Sequence, residues 1–85
     1  MSAYCSNEGT LVPLESLRMT KQPPLLLDRE KVERFASHMK QGLEFPPVEV
    51  SKEGEFYTLW QGYHRQQASH QCGFTHIPVK IIPMP

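Results

Sequence analysis

The 85-residue chain lacks a net charge and a long apolar run. Nine basic residues balance nine acidic ones, so the overall field that draws a protein onto nucleic acid or an anionic membrane is absent. The longest aliphatic runs, at residues 25–27 and 81–82, are far shorter than the roughly 20 residues of a membrane span. We therefore expect a soluble protein whose contacts with nucleic acid, if made at all, are local.

Cysteine is also scarce, and no metal-binding spacing occurs. Cys5 lies in a polar stretch and Cys72 follows a helical pattern, which favours two unrelated thiols over a disulfide framework. The four histidines lie six or more residues apart, so they match no zinc pattern and no metal site is predicted. Because no basic segment followed by an apolar stretch marks a secretory signal, the expected location is cytoplasmic.

Hydrophobic periodicity predicts a small α+β domain with a short, mostly antiparallel or mixed sheet and two main helices. Residues 1–9 lack periodicity and are predicted to be a flexible leader before a single domain at 10–85, because a chain this short supports only one core. The predicted strands cover 11–14, 48–51, 56–60 and 77–82, the helices cover 29–41 and 64–71, and Pro23 and Pro24 enforce an extended connection at 20–27.

The segment Gly62-Tyr63-His64-Arg65 is the first candidate site. A strand that ends at a glycine and turns at once into a helix exposes backbone N–H groups that attract an anion. His64 and Arg65 add side-chain donors, and charge-assisted hydrogen bonds to phosphate contribute roughly 1.5 to 3 kcal/mol each. The pattern predicts a phosphate-binding turn, although an ordinary strand-to-helix corner would look the same.

A second candidate feature is a basic ridge on the first helix. Lys31, Arg34 and His38 lie at positions i, i+3 and i+7, which places them along one side of a helix beside its apolar stripe. Such a ridge is usually a solvated surface. If both helices cover the same face of the sheet, however, it can supply a second wall for an anion bound at the Gly62 turn.

Residues 11–82 resemble the ParB/sulfiredoxin superfamily, and the sulfiredoxins more than the partition proteins. The matching stretches are residues 25–32, 46–50, 56–65 and 76–80. In sulfiredoxins the turn reads Gly-Cys-His-Arg, and its cysteine reduces sulfinic acid in peroxiredoxins at the expense of ATP. The resemblance implies that the phosphates of a nucleotide, ATP or CTP with Mg²⁺, are bound by Lys31, His64 and Arg65.

Tyr63 departs from the sulfiredoxin pattern, because it occupies the position of the nucleophilic cysteine. A phenol with a pKa near 10 cannot replace a thiolate in sulfur chemistry, and Cys72 would lie roughly 13 Å further along the helix. We therefore expect no sulfinic acid reductase activity. Arg34 and His38 replace the small hydroxyl residues of sulfiredoxins, which implies a more basic pocket formed with Lys31 and the residues of the turn, Gly62 included.

Three functions remain open at this point. The first is a nucleotide-binding regulatory or adaptor module. The second is a phosphotransferase, nucleotide hydrolase or nuclease in which Tyr63 or His64 takes part and Glu44 or Glu49 acts as a base or metal ligand. The third is a protein interaction module that uses exposed aromatics; the candidates are Tyr57, Trp60 and Tyr63.

Partition proteins and serine kinases of the same superfamily resemble the chain less closely. The ParB turn reads Gly-Glu-Arg-Arg and binds CTP, and partition proteins read DNA through helix-turn-helix domains for which this chain has no room. We therefore expect no sequence-specific DNA binding. The kinases carry an acidic residue just before the turn, whereas this chain has Gln61, which cannot act as a base.

Overall fold

The computed structural model describes residues 3–19 and 28–83, which form a five-stranded mixed sheet and two helices. The α+β prediction is therefore confirmed. In chain order the elements are β1 (Thr10–Pro13), a 3₁₀ turn (Leu14–Ser16), β2 (Leu17–Met19), α1 (Arg29–Lys40), β3 (Val48–Glu53), β4 (Phe56–Gln61), α2 (Tyr63–Gln71) and β5 (His76–Ile81).

The strands lie in the order β1-β5-β3-β4-β2. β1 pairs with β5 and β3 pairs with β4 in antiparallel fashion, whereas β2 with β4 and β3 with β5 are parallel. β1 is an edge strand, as Pro13 requires, because proline cannot donate to a second neighbour. β3 and β4 form a hairpin, and its turn places Gly54 at a φ of 61°.

Helix α1 begins and ends as its sequence predicts. The Asp28 side chain caps the helix by accepting a hydrogen bond from the Lys31 backbone N–H at 3.1 Å. Its apolar stripe, which includes Val32, Ala36 and Met39, is buried against the sheet. Past its C-terminus the chain turns at Gly42, whose φ is 81°, so the pattern stops where a left-handed residue is needed.

The two helices run side by side with their N-termini at the same end. The backbone N–H of Asp28, just before α1, contacts His64 in the first turn of α2. At the other end, the Cys72 thiol donates to the Ala36 carbonyl at 3.3 Å. Neither described helix is long and apolar enough to cross a bilayer.

A single apolar core joins the helices to the sheet. It combines side chains of α1 and α2 with those of the strands, namely Val12, Val32, Ala36, Met39, Val48, Val50, Leu59, Ala68, Ile77 and Val79. On β4 the side chain of Leu59 is buried, whereas the side chains of Phe56 and Trp60 on the opposite face are exposed. The helices therefore cover the face that Leu59 shares.

Truncation of Met39 tests how much this core contributes to stability. Met39 is fully buried, with 0% of its surface exposed, so Met39→Ala removes apolar contacts and leaves a cavity. We expect the free energy of unfolding to fall by about 2 to 5 kcal/mol, measured by urea denaturation. Leu43→Ala is the control, because Leu43 is 48% exposed and we expect a change within about 0.5 kcal/mol. Equal effects of both changes would contradict this account.

The structure departs from the sequence prediction in one segment and adds one strand. Residues 1–9 were predicted to be a loose leader, but Tyr4 is 3% exposed and packs edge-on against Phe45 at 5.8 Å, because its ring belongs to the apolar core. Strand β2 was not predicted, since three residues are too few to show an alternating pattern. The extended connection predicted at 20–27 lies outside the described residues.

Candidate functional site

The predicted turn at Gly62 forms the N-terminus of helix α2. Gly62 is the N-cap with φ 107° and ψ 27°, and as a glycine it makes no side-chain capping hydrogen bond. Its carbonyl accepts the first helical hydrogen bond, from the Gln66 N–H at 2.9 Å. The turn thus has the geometry expected of an anion-attracting helix end, where N–H groups lack partners within the helix.

His64 connects the two helix N-termini. Its Nε2 atom accepts a hydrogen bond from the Asp28 backbone N–H at 3.2 Å, which requires a ring that carries no proton on Nε2. Asp28 in turn caps α1 through the Lys31 N–H. Because both helix dipoles have their positive ends here, their contributions at this place have the same sign and favour a negative ligand.

The cap of α1 can be tested without touching His64. Asp28→Ala removes the carboxylate that accepts from the Lys31 N–H, and we expect the free energy of unfolding to fall by about 1 kcal/mol. Asp28→Asn is the matched control, because the amide oxygen can still cap the helix. Thermal unfolding should separate the two variants, and an equal loss in both would show that the cap does not stabilise α1.

The Arg65 side chain lies beside the Gly62 turn and is held there by two backbone carbonyls. Its Nη1 atom donates to the carbonyl oxygens of Pro46 at 2.7 Å and Pro47 at 3.0 Å. A Cβ atom built on Gly62 would lie 3.3 Å from Nη2. The guanidinium therefore lies between the Gly62 turn and the segment that leads into β3.

Tyr4 shares one of these acceptors. Its hydroxyl donates to the Pro46 carbonyl at 2.9 Å. Burial raises the pKa of Tyr4 to about 12, even though the neighbouring Arg65 charge acts in the opposite direction. The phenol thus remains a neutral donor throughout the physiological pH range.

Lys31 is the residue of the predicted basic ridge that lies nearest the Gly62 turn. The Lys31 backbone belongs to the α1 cap, and its Nζ atom lies 5.6 Å from the centre of the Phe35 ring. At 1.5 Å per residue, Arg34 and His38 lie about 9 and 15 Å along α1 from Asp28. His38 is half-buried near the C-terminus of α1, where its carbonyl accepts from the Leu43 N–H.

Tyr63, which occupies the position of the sulfiredoxin cysteine, is half-buried beside His64. The Tyr63 and His64 rings meet edge-on with their centres 6.3 Å apart. Cys72 lies at the far end of α2, and burial raises the pKa of its thiol, which makes it a poor nucleophile. Cys5 is an exposed free thiol in the N-terminal segment.

The carboxylates considered as bases lie outside the turn. The Glu44 side chain accepts from the Asn7 backbone N–H at 3.1 Å. Glu49 lies on β3 between Lys80 of β5 and Gln61, the last residue of β4 before the turn. Among residues 3–19 and 28–83, no group of three or more His, Cys, Asp or Glu side chains is placed to hold a metal ion.

The aromatic candidates divide between the two faces of the sheet. Trp60 is 44% exposed, and its indole N–H donates to the Ser51 hydroxyl at 2.8 Å. Tyr57 and Tyr63 are half-buried and pack against the core. The three side chains therefore do not form one common patch by these contacts.

Sequence reasoning did not identify Tyr4, Pro46 and Pro47 as neighbours of the turn. The sequence holds one sign that a donor packs against this segment, because consecutive prolines offer carbonyl acceptors but no N–H donors. Such a segment needs donors from elsewhere, and an arginine is the side chain with the most. Nothing in the sequence, however, indicates which arginine is within reach.

Comparison with known proteins places the chain among proteins of this fold. The ParB protein of Myxococcus xanthus is 31% identical over 71 residues, which is 82% of this chain but only 24% of that protein. Sulfiredoxin from Arabidopsis thaliana superposes with a TM-score of 0.74 at 28% identity, covering 88% of this chain and 86% of that one.

A truncated ParB from Caulobacter crescentus, solved in complex with CTP-γ-S, superposes with a TM-score of 0.77 at 20% identity. The match covers 89% of this chain and 44% of that one, so the likeness at this identity concerns the fold. The family model described as the ParB N-terminal domain matches residues 2–85. The chain therefore belongs to the ParB N-terminal domain family.

Proposed function

We propose that this domain binds a nucleotide through its phosphates at the N-terminus of α2. The observation that supports this most is the arrangement of two parallel helix N-termini joined by the contact between His64 and Asp28. The N-cap of α2 is a glycine, which supplies no side-chain cap, and we assign the N–H groups of the first turn to the phosphate oxygens. His64 and Lys31 are the side chains we assign to the same phosphates.

The relatives support a nucleotide as the ligand. A ParB protein with the same fold has been crystallised with CTP-γ-S, and the sulfiredoxins that the sequence resembles use ATP. We therefore propose ATP or CTP, with Mg²⁺ supplied together with the nucleotide. The basic side chains of Arg34 and His38 lie further along α1, where they can interact with the more distant parts of a bound nucleotide.

Binding without sulfur chemistry is the second part of the proposal. Tyr63 supplies no thiolate at the turn. The Cys72 thiol lies at the opposite end of α2, where it donates a hydrogen bond to the Ala36 carbonyl. We accordingly propose a regulatory or adaptor module without sulfinic acid reductase activity. An enzyme of phosphate chemistry is less well supported, because the Glu44 side chain accepts from the Asn7 N–H. Glu49 pairs with Gln61 directly before the turn, so it is the carboxylate on which that alternative depends.

Calorimetric titration of the purified protein with ATP, CTP and GTP, with and without Mg²⁺, tests the proposal. We expect saturable 1:1 binding of at least one nucleotide at submillimolar to millimolar concentration. Absence of binding by all three at millimolar concentration would refute it. Turnover of the bound nucleotide in the same samples would shift the assignment to the phosphotransferase or hydrolase alternative.

A further inference from the structure

We propose that Arg65 is a positioning residue, which together with Tyr4 holds the Pro46-Pro47 segment against the phosphate turn rather than binding phosphate itself. The inference builds on the proposed function, because the turn that Arg65 supports is the proposed binding site. It assigns Arg65 a different role from the one that the family resemblance implies.

The carbonyls of the Pro46-Pro47 segment take their hydrogen bonds from Arg65. Neither proline has an N–H group, and their two carbonyls both accept from Arg65 Nη1. Bonds from a charged donor are roughly twice as strong as neutral ones. The Nη1 atom is therefore engaged with the proline segment, and these two bonds set the orientation of the whole guanidinium, so we assign Arg65 the role of supporting the segment.

Val48 connects this segment to the turn. Val48 follows Pro47 directly and packs under Gly62, since a Cβ atom on Gly62 would lie 2.8 Å from Val48 Cβ. Arg65 Nη2 lies on the same side of Gly62. Any displacement of the proline segment would therefore move the surface on which the Gly62 turn rests.

Tyr4 donates to the same Pro46 carbonyl, although it lies 42 residues away in the sequence. The segment around it runs beside residues 44–46, where the Phe45 N–H donates to the Cys5 carbonyl at 2.9 Å. A donor on each side fixes the Pro46 carbonyl. The N-terminal segment thereby becomes part of the support of the site.

A double-mutant cycle with Tyr4→Phe and Arg65→Gln tests the inference, first by thermal unfolding without nucleotide. Tyr4→Phe removes only the hydroxyl. We expect each single change to lower the melting temperature by about 4 °C or more, and the double variant to lose clearly less than the sum, because both donors act on one carbonyl. Additive losses, or an unchanged melting temperature in Arg65→Gln, would overturn the proposal.

Nucleotide affinity is the second readout of the same variants. If Arg65 positions the turn, Tyr4→Phe weakens binding about 3-fold or more although Tyr4 is buried, and Arg65→Lys, which keeps a charged donor, restores part of the affinity lost in Arg65→Gln. If Arg65 instead binds the phosphates directly, the Tyr4→Phe variant will bind nucleotide with wild-type affinity. That result would overturn the proposal. If the wild type binds no nucleotide, the proposed function fails, while the unfolding cycle still decides the role of Arg65.

Discussion

Gly62→Ala is expected to lower the free energy of unfolding by about 3 to 5 kcal/mol, the largest loss of any single methyl addition considered. Gly62 has a φ of 107°, where a side chain strains the backbone by roughly 1 to 3 kcal/mol. The new methyl group would also overlap the Val48 side chain, lying 2.8 Å from its Cβ. Overpacking of this kind costs a further 1 to 3 kcal/mol or so.

Gly73→Ala is the matched control, at the other end of the same helix. Gly73 also has a positive φ, 76°, but a Cβ atom there meets nothing within 4 Å. We expect a loss of about 1 to 2 kcal/mol, from backbone strain alone. Urea denaturation of the two variants measures the difference, and equal losses would show that the close approach of Gly62 to Val48 does not determine the packing of the turn.

His64→Ala is expected to weaken nucleotide binding by about 10- to 100-fold. His64 lies in the first turn of α2 and contacts the Asp28 N–H. Because Nε2 accepts from Asp28, the donor that we assign to the phosphates is Nδ1–H. The substitution removes this donor, and a charge-assisted bond contributes roughly 1.5 to 3 kcal/mol. Calorimetric titration with the nucleotide that binds the wild-type protein measures the change.

His70→Ala controls for the loss of an imidazole from the same helix. His70 is exposed in the last turn of α2, about 9 Å from His64 along the helix. We expect its substitution to leave the nucleotide affinity within 2-fold of the wild type. Comparable weakening by both changes would mean that general charge, rather than the Gly62 turn, determines binding.

The elements with strong periodicity could be predicted from the sequence within one or two residues. Helix α1 has a capping aspartate, an apolar stripe and a terminal glycine, and these local signals agree with its place in the core. Strand β4 is likewise predicted by its β-branched and aromatic residues. Strand β2 is different, because Leu17–Met19 gains its structure only from pairing with β4, a contact that no local pattern encodes.

The candidate site was predictable to the extent that backbone geometry determines it. Gly62 marks the turn because a positive φ before a helix favours glycine, and the direction of the N–H groups follows from that. The place of the Arg65 side chain could not be predicted, since its acceptors at Pro46 and Pro47 are brought near by the tertiary fold. Helical spacing likewise aligned Lys31 with His38 but did not show which end of α1 meets the turn.

The most direct test of the central claim is an NMR titration of the ¹⁵N-labelled protein with ATP, CTP and GTP in the presence of Mg²⁺. If phosphates bind at the N-terminus of α2, the largest amide shifts will occur at Tyr63, His64 and Arg65 and at Asp28, and inorganic triphosphate will produce the same pattern. Shifts concentrated elsewhere on the protein, or no shifts at millimolar nucleotide, would contradict the claim.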